Sequence, residues 1–472
     1  PSARGSGPAR TRTRAGAAPG CRSAASRTPR ACCTAVAAVL RGWAGGTATP
    51  WHSTAFRCQA RARGRSNLRA TVACSGSARA ASTQRFIKGS LAPRCGPRTA
   101  LSKLLAAEGS GPWAAKSFTV SLLLDDPDRC RGVDRQDMLG LVLRTAEFLQ
   151  EGWELGRRLD PPSDAPPKHL LILGMGGSGI GGDLLKGLLY DRAGFPVTVV
   201  KDYALPAWVG PGTVAFACSY SGNTEETLAA YQAALACGVR CVAVTSGGRL
   251  LESASSAGSP WVRIPGGLPP RAALGYLLGP MLGALYRWGW VDGLADEVEE
   301  AVGLLRELAS RWGPQVPSRE NPAKQLARAL AGRIPVVYAA SRLSEAAAQR
   351  WKTQLNENSK VFAAWNVFPE LNHNETVGWT LAGQPEGLLV VVVLRDPEDP
   401  RRLVQRVEIT GQLSLGEAAG YHEVHAQGSR RLARVLSLVL FGDLTSVYLA
   451  ILNEVDPTPV TVIDELKRRL ES

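Results

Sequence analysis

Between residues 169 and 264 short apolar runs alternate with stretches of helical character. His169–Leu173, Val197–Val200, Val214–Cys218, Cys241–Thr245 and Trp261–Ile264 are strand-like, and Asp183–Leu189 and Glu225–Cys237 are helix-like. Parallel strands need a long crossover between them, usually a helix. The alternation therefore predicts an α/β fold, a doubly wound and mostly parallel sheet with helices on both faces. The pattern restarts after the break Gly313–Pro317. Ile334–Ala339, Val361–Ala364 and Leu388–Leu394 are strand candidates, and Ser344–Asn356 and Arg430–Leu452 are helix candidates. Two related α/β halves are expected, over residues 165–312 and 318–456. A helix from about Gln136 to Arg158 and a proline-rich linker fill 121–164. Helices from Pro270 to Trp288 and Glu297 to Trp312 close the first half, and one over Val460–Leu470 occupies 457–472.

Charge divides the chain sharply. Residues 1–120 hold 20 Lys and Arg against one acid, Glu108, while the remainder holds 35 against 40 acids. The net charge of +14 thus belongs to the first segment and gives the α/β part no nucleic-acid character. Residues 1–120 are rich in Ala, Arg, Gly, Ser, Thr and Pro without an amphipathic period, and are expected to be a disordered or non-native extension. The reading taken is translated upstream sequence ahead of a later start. A transit peptide, which would place the protein in an organelle, is the alternative, and a basic nucleic-acid arm ranks last. Six of ten cysteines lie there, and Cys130, Cys218, Cys237 and Cys241 remain. They contain no zinc-like CxxC pair, and a reducing cytoplasmic setting fits. Cys218 reads as a small core residue. No apolar run is expected to reach membrane-spanning length, so no membrane partner is expected.

Two loops carry ligand chemistry. Ser219-Tyr220-Ser221-Gly222-Asn223-Thr224 joins a strand to a helix, where amides, hydroxyls and the helix dipole favour a phosphate. Upstream, Gly174 to Gly182 follows another strand and contains GxGxxG at Gly174, Gly176 and Gly179, with Asp202 after the next strand. That is also a dinucleotide fingerprint, and it serves equally as a tight turn before a helix opening at Asp183. Two such loops at the carboxyl edge of one parallel sheet favour a bound ligand.

Polar clusters mark the second half. Asn356-Glu357-Asn358 ends a helix candidate, and Asn366 and Glu370-Leu371-Asn372-His373-Asn374-Glu375 follow a strand. Glu357 is a candidate base, although an isolated Glu at a helix end is more often a solvated one. His373 reads equally as a loop histidine satisfied by nearby amides. His422 and His425 fall on opposite faces of a strand-like stretch, so they are not taken as a metal pair.

The runs GMGGSGIGGD, SYSGNTEET, LPPRAALGY and QLNENSKVFAAWNVFPELNHNE resemble the bifunctional phosphoglucose/phosphomannose isomerase family of the sugar-isomerase (SIS) superfamily. The resemblance covers about residues 120–472, and LNENSK with PELNHNE is its most specific part. It implies two SIS-type sheets and a hexose 6-phosphate substrate. Gly177, Ser178, Ser219, Ser221 and Thr224 would hold the phosphate, and Arg271 would stabilise an enediolate. Glu357 would transfer the carbon proton, and His373 and Lys467 would open the sugar ring. It further implies a homodimer in which His373 serves the partner's site, with no metal and no nucleotide cofactor. A non-catalytic SIS-type binding module and a dinucleotide-dependent oxidoreductase are the competing readings. The first does not need Glu357 and His373, and the second leaves the serine-rich loop unexplained.

Overall fold

The computed structural model describes residues 123–470 apart from 164, 341 and 380–386, so the expected extension 1–120 lies outside the described residues. Among the described residues, nine strands form two sheets. β1 (His169–Leu173), β2 (Val197–Val200), β3 (Thr213–Cys218), β4 (Arg240–Thr245) and β5 (Trp261–Arg263) make the first, in the order β2-β1-β3-β4-β5. β6 (Ile334–Ala339), β7 (Ala364–Val367), β8 (Leu389–Arg395) and β9 (Gly420–His425) make the second, in the order β7-β6-β8-β9. Every neighbouring pair is parallel. The shared order makes β1, β3 and β4 the counterparts of β6, β8 and β9.

Alternation along the strands shows both faces covered. Leu170, Ile172, Phe216 and Val244 enter one core, while Leu171, Leu173, Ala215 and Ala217 enter another on the opposite face. Side chains of a strand point alternately to its two sides, so neighbours in sequence must find separate covers. Val337, Ala339, Val392 and Leu394 of the second sheet join the first core, and Val336, Tyr338, Val391 and Val393 face a third. The two sheets thus share one central apolar layer. Cys218 is buried in it, and burial pushes its thiol pKa up to about 12.

Several expectations need correction. The glycine run is not a turn before a helix at Asp183, because the helix Gly176–Leu189 begins inside it. Glycine is a poor helix former, and tertiary burial overrides that preference here. The stretch 136–158 is two helices, Met138–Leu143 and Thr145–Gly156, joined at Arg144. β7 starts three residues later than expected, because Val361 still donates its N–H to the Leu355 carbonyl and the chain reaches the sheet only afterwards. Helices Gly248–Ser256, Pro322–Leu330 and Arg401–Leu413 went unread.

The expectation about membrane-length runs also fails. Arg431–Leu452 is a 22-residue helix whose most apolar 18 residues have mean hydropathy 2.1, long and apolar enough to cross a bilayer, yet that stretch is wholly buried inside the protein. A helix apolar on all sides belongs to a core when other helices cover it. Helices Leu294–Trp312, Pro322–Leu330 and Arg342–Glu357 do so. Asp443 on this helix is paired with Arg350 at 2.7 Å, both side chains being 3% exposed.

Helix Arg342–Glu357 also packs against helix Gly176–Leu189 of the other half. These are the helices that follow the first strand of each half. Their contact carries the end of one, at Glu357, toward the loops at the start of the other.

Candidate active site

The two loops of the first half are stitched together by Ser178. It lies in the first turn after β1, and its Oγ accepts the N–H of Tyr220 at 3.0 Å. Ser219 lies within hydrogen-bond distance of Thr224 (Oγ to Oγ1, 2.9 Å) and accepts the Gly222 N–H at 3.1 Å. Ser221 accepts the Asn223 N–H at 3.2 Å. Gly222 sits at φ +71°, and a Cβ there would lie 1.8 Å from the Gly247 carbonyl, so no other residue closes this loop without moving its neighbour. The loop opens helix Glu225–Ala236, whose N-terminal amides and dipole suit an anion.

The corresponding place in the second half is chemically different. β8 is followed by Asp396-Pro397-Glu398-Asp399, and Asp396 and Glu398 both pair with Arg434. Carboxylates paired to an arginine stand where β3 is followed by hydroxyls, so of these two loops only the first offers neutral donors suited to a phosphate.

Arg271 connects that half to Glu357. Pro270 starts a single 3-10 turn, Pro270–Ala272, which leads into the buried helix Leu274–Arg287. Gly177 admits this turn, since a Cβ at Gly177 would lie 3.0 Å from both N and Cα of Arg271. The guanidinium is almost fully committed. Nε donates to Asn358 Oδ1 at 2.6 Å, and Nη2 donates to the carbonyls of Pro457 (2.7 Å) and Thr458 (2.8 Å). Nη1 faces Glu357 Oε2 at 3.4 Å. Burial lowers the Arg271 pKa from its ordinary value, and the Glu357 carboxylate opposes that shift. The Arg271 side chain is 4% exposed and that of Glu357 is 27% exposed, so the carboxylate is the more accessible member of the pair.

A deeper network holds Arg271 in turn. Arg350 Nη2 donates to the Arg271 carbonyl at 2.8 Å and to Asp443 Oδ2 at 2.7 Å. Asn358 Nδ2 donates to Ser446 Oγ at 2.9 Å. Burial raises the Asp443 pKa and Arg350 pulls it back.

The structure thus brings Gly177, Ser178, Arg271 and Glu357 into one continuous chain of contacts, with Ser219, Ser221 and Thr224 in the adjoining loop. His373 and Lys467 are not joined to it. His373 is exposed at the end of the 3-10 turn Glu370–His373, which buries Leu371, and Lys467 lies on helix Thr461–Leu470, which buries no residue. No hydrogen bond or ion pair among the described residues links either to Arg271 or Glu357. The sequence reading missed Asn358, Arg350 and Asp443. The run Asn356-Glu357-Asn358 hinted at the first, but nothing local marks Arg350 or Asp443. A groove of about 760 Å³ is walled in part by Glu151, Glu154, Arg158, Ser246 and Arg263, and includes none of the site residues.

The fold and this site define a sugar-isomerase class protein, two parallel α/β halves with a hydroxyl-rich loop pair on one and an arginine–glutamate pair between them. Residues 319–470 match the family described as the bacterial phospho-glucose isomerase C-terminal SIS domain. A bifunctional phosphoglucose/phosphomannose isomerase of Caldicellulosiruptor bescii is 43% identical over 71% of this chain and 98% of its own length. One from Thermoplasma acidophilum is 38% identical over 64% and 89%. The chain belongs to the bifunctional phosphoglucose/phosphomannose isomerase family. The solved structure of a hypothetical protein from Thermus thermophilus shares the fold at TM-score 0.58 and 19% identity, over 76% of this chain and 96% of that one.

Proposed function

We propose that the chain interconverts glucose 6-phosphate and mannose 6-phosphate with fructose 6-phosphate. The observation that carries this reading is Arg271, which spans from the hydroxyl-rich loops to a half-open carboxylate. The phosphate rests on Gly177, Ser178, Ser219, Ser221 and Thr224, and its binding energy holds the far end of the sugar in place. Glu357 removes the C2 proton of the open-chain aldose. The electron pair forms the C1–C2 double bond while the carbonyl oxygen gains negative charge. Nη1 of Arg271, left after Asn358, Pro457 and Thr458 are served and turned to Glu357 at 3.4 Å, is the guanidinium donor that would answer that charge. Glu357 returns the carbon proton to C1, the 2-hydroxyl proton passes to O1, and the ketose carbonyl forms at C2. Glucose and mannose 6-phosphates differ only at C2 and give the same planar enediolate, but their C2 protons leave from opposite faces, so one base serves both only when the substrate turns about its C2–C3 bond.

Ring opening falls to His373 and Lys467. Within one chain neither is hydrogen-bonded or ion-paired to Arg271 or Glu357 among the described residues, which fits a homodimer in which His373 serves the partner's site. Helix Thr461–Leu470 leaves Val462, Leu466 and Leu470 exposed, and a short helix is marginal without a covered apolar face. Light scattering giving a monomer mass at micromolar concentration would remove the shared histidine. The free thiols Cys130, Cys218, Cys237 and Cys241 suit a reducing cytoplasm.

The test is a coupled assay of the purified full chain with each aldose phosphate in parallel. Conversion of neither overturns the proposal, and conversion of one alone removes the dual activity. Ser178→Ala frees the Tyr220 N–H and should raise KM for both about tenfold, a net loss of ~1.5 kcal/mol. An unchanged KM would take Ser178 out of the phosphate site.

A further inference from the structure

We propose that Lys360 is a positioning residue, tying the catalytic glutamate's helix to the segment that leads into the C-terminal helix; this rests on the isomerase reading above. Lys360 follows the end of helix Arg342–Glu357 and adopts φ +57°. That left-handed conformation is normally taken by glycine at helix ends, because a Cβ crowds the backbone there. A lysine in its place points to a role for the side chain. Its Nζ turns back to donate to the Glu357 carbonyl at 2.5 Å and reaches the Pro457 carbonyl at 3.0 Å.

The Pro457 carbonyl is also held by Arg271 Nη2 at 2.7 Å. Two cations therefore converge on one peptide group, one from each half of the protein. The segment they clamp runs directly into helix Thr461–Leu470, which carries Lys467. Lys360 also caps the last carbonyl of the helix that ends at Glu357, where the helix dipole is negative. Much of the residue faces solvent, but its ammonium is partly enclosed. That enclosure lowers its pKa, Arg271 adds to the shift, and Asp456 and Glu357 oppose it. The charged groups around Glu357 are thus Arg271 and Lys360, with Asp456 acting on both and Arg350 standing behind Arg271.

The test compares Lys360→Gly, Lys360→Gln and Lys360→Arg in the full chain. Glycine relieves the backbone and removes the ammonium, so it separates the two roles. Lys360→Gly should keep or raise Tm, while kcat falls roughly 10–100-fold through misplacement of the base. Hydrogen exchange at 456–460 should quicken in the Gly and Gln variants, and Lys360→Arg should restore both exchange and turnover. Unchanged exchange at 456–460 in Lys360→Gly overturns the tether. So does wild-type kcat in Lys360→Gly, or a kcat loss that tracks Tm in every variant. An inactive wild type overturns the isomerase reading instead, and the exchange measurement still decides on the tether.

Discussion

Glu357→Gln should still bind fructose 6-phosphate and should turn it over about 10²–10⁴-fold more slowly, the usual worth of a positioned acid or base. The substitution preserves size and the contact with Arg271 Nη1 at 3.4 Å, since the amide oxygen still accepts. What it removes is proton affinity. KM should therefore stay close to wild type while kcat collapses in both directions, from aldose and from ketose. Exchange of the C2 proton of glucose 6-phosphate with deuterated solvent should fall in step. Wild-type turnover in this variant would take Glu357 out of the chemistry. A large rise in KM with kcat preserved would make it a binding group instead.

Arg350→Met should destabilise the fold by about 3–5 kcal/mol, because it leaves Asp443 as an unpaired buried carboxylate. Both partners are 3% exposed, so solvent does not soften the loss. The effect should appear as a drop in Tm. Joint replacement, Arg350→Met with Asp443→Leu, should recover most of that stability, since a buried pair exchanged for apolar side chains is often neutral. Turnover should not recover with it. The Arg271 carbonyl, which accepts from Arg350 at 2.8 Å, loses its donor in both variants. A single variant with unchanged Tm would show that the pair does not hold the core. A double variant with full activity would show that Arg271 keeps its place without it.

Much of the fold was legible because parallel strands buried on both faces must be short apolar runs. β1, β2 and β6 have the expected bounds to the residue. Errors fell where tertiary contact decides. The glycines from Gly176 to Gly182 read as a loop by propensity, yet they lie in a helix held against Arg271 and the Ile172 side chain. Helix Arg401–Leu413 escaped notice because only Val407 and Thr410 are buried, too few to print a period. Helix Arg431–Leu452 has the composition of a membrane span, and only its neighbours make it a core.

The sequence by itself determined the α/β rhythm, the hydroxyl loop after β3 and the polar run around Glu357, because each is written in adjacent residues. Only the tertiary structure decided that Arg271 and Glu357, 86 positions apart, meet at 3.4 Å with Asn358, Pro457 and Thr458 closed around the guanidinium. Helix Arg342–Glu357 packing on helix Gly176–Leu189 creates that meeting. Packing between distant helices depends on the whole core they share, and no local spacing records it.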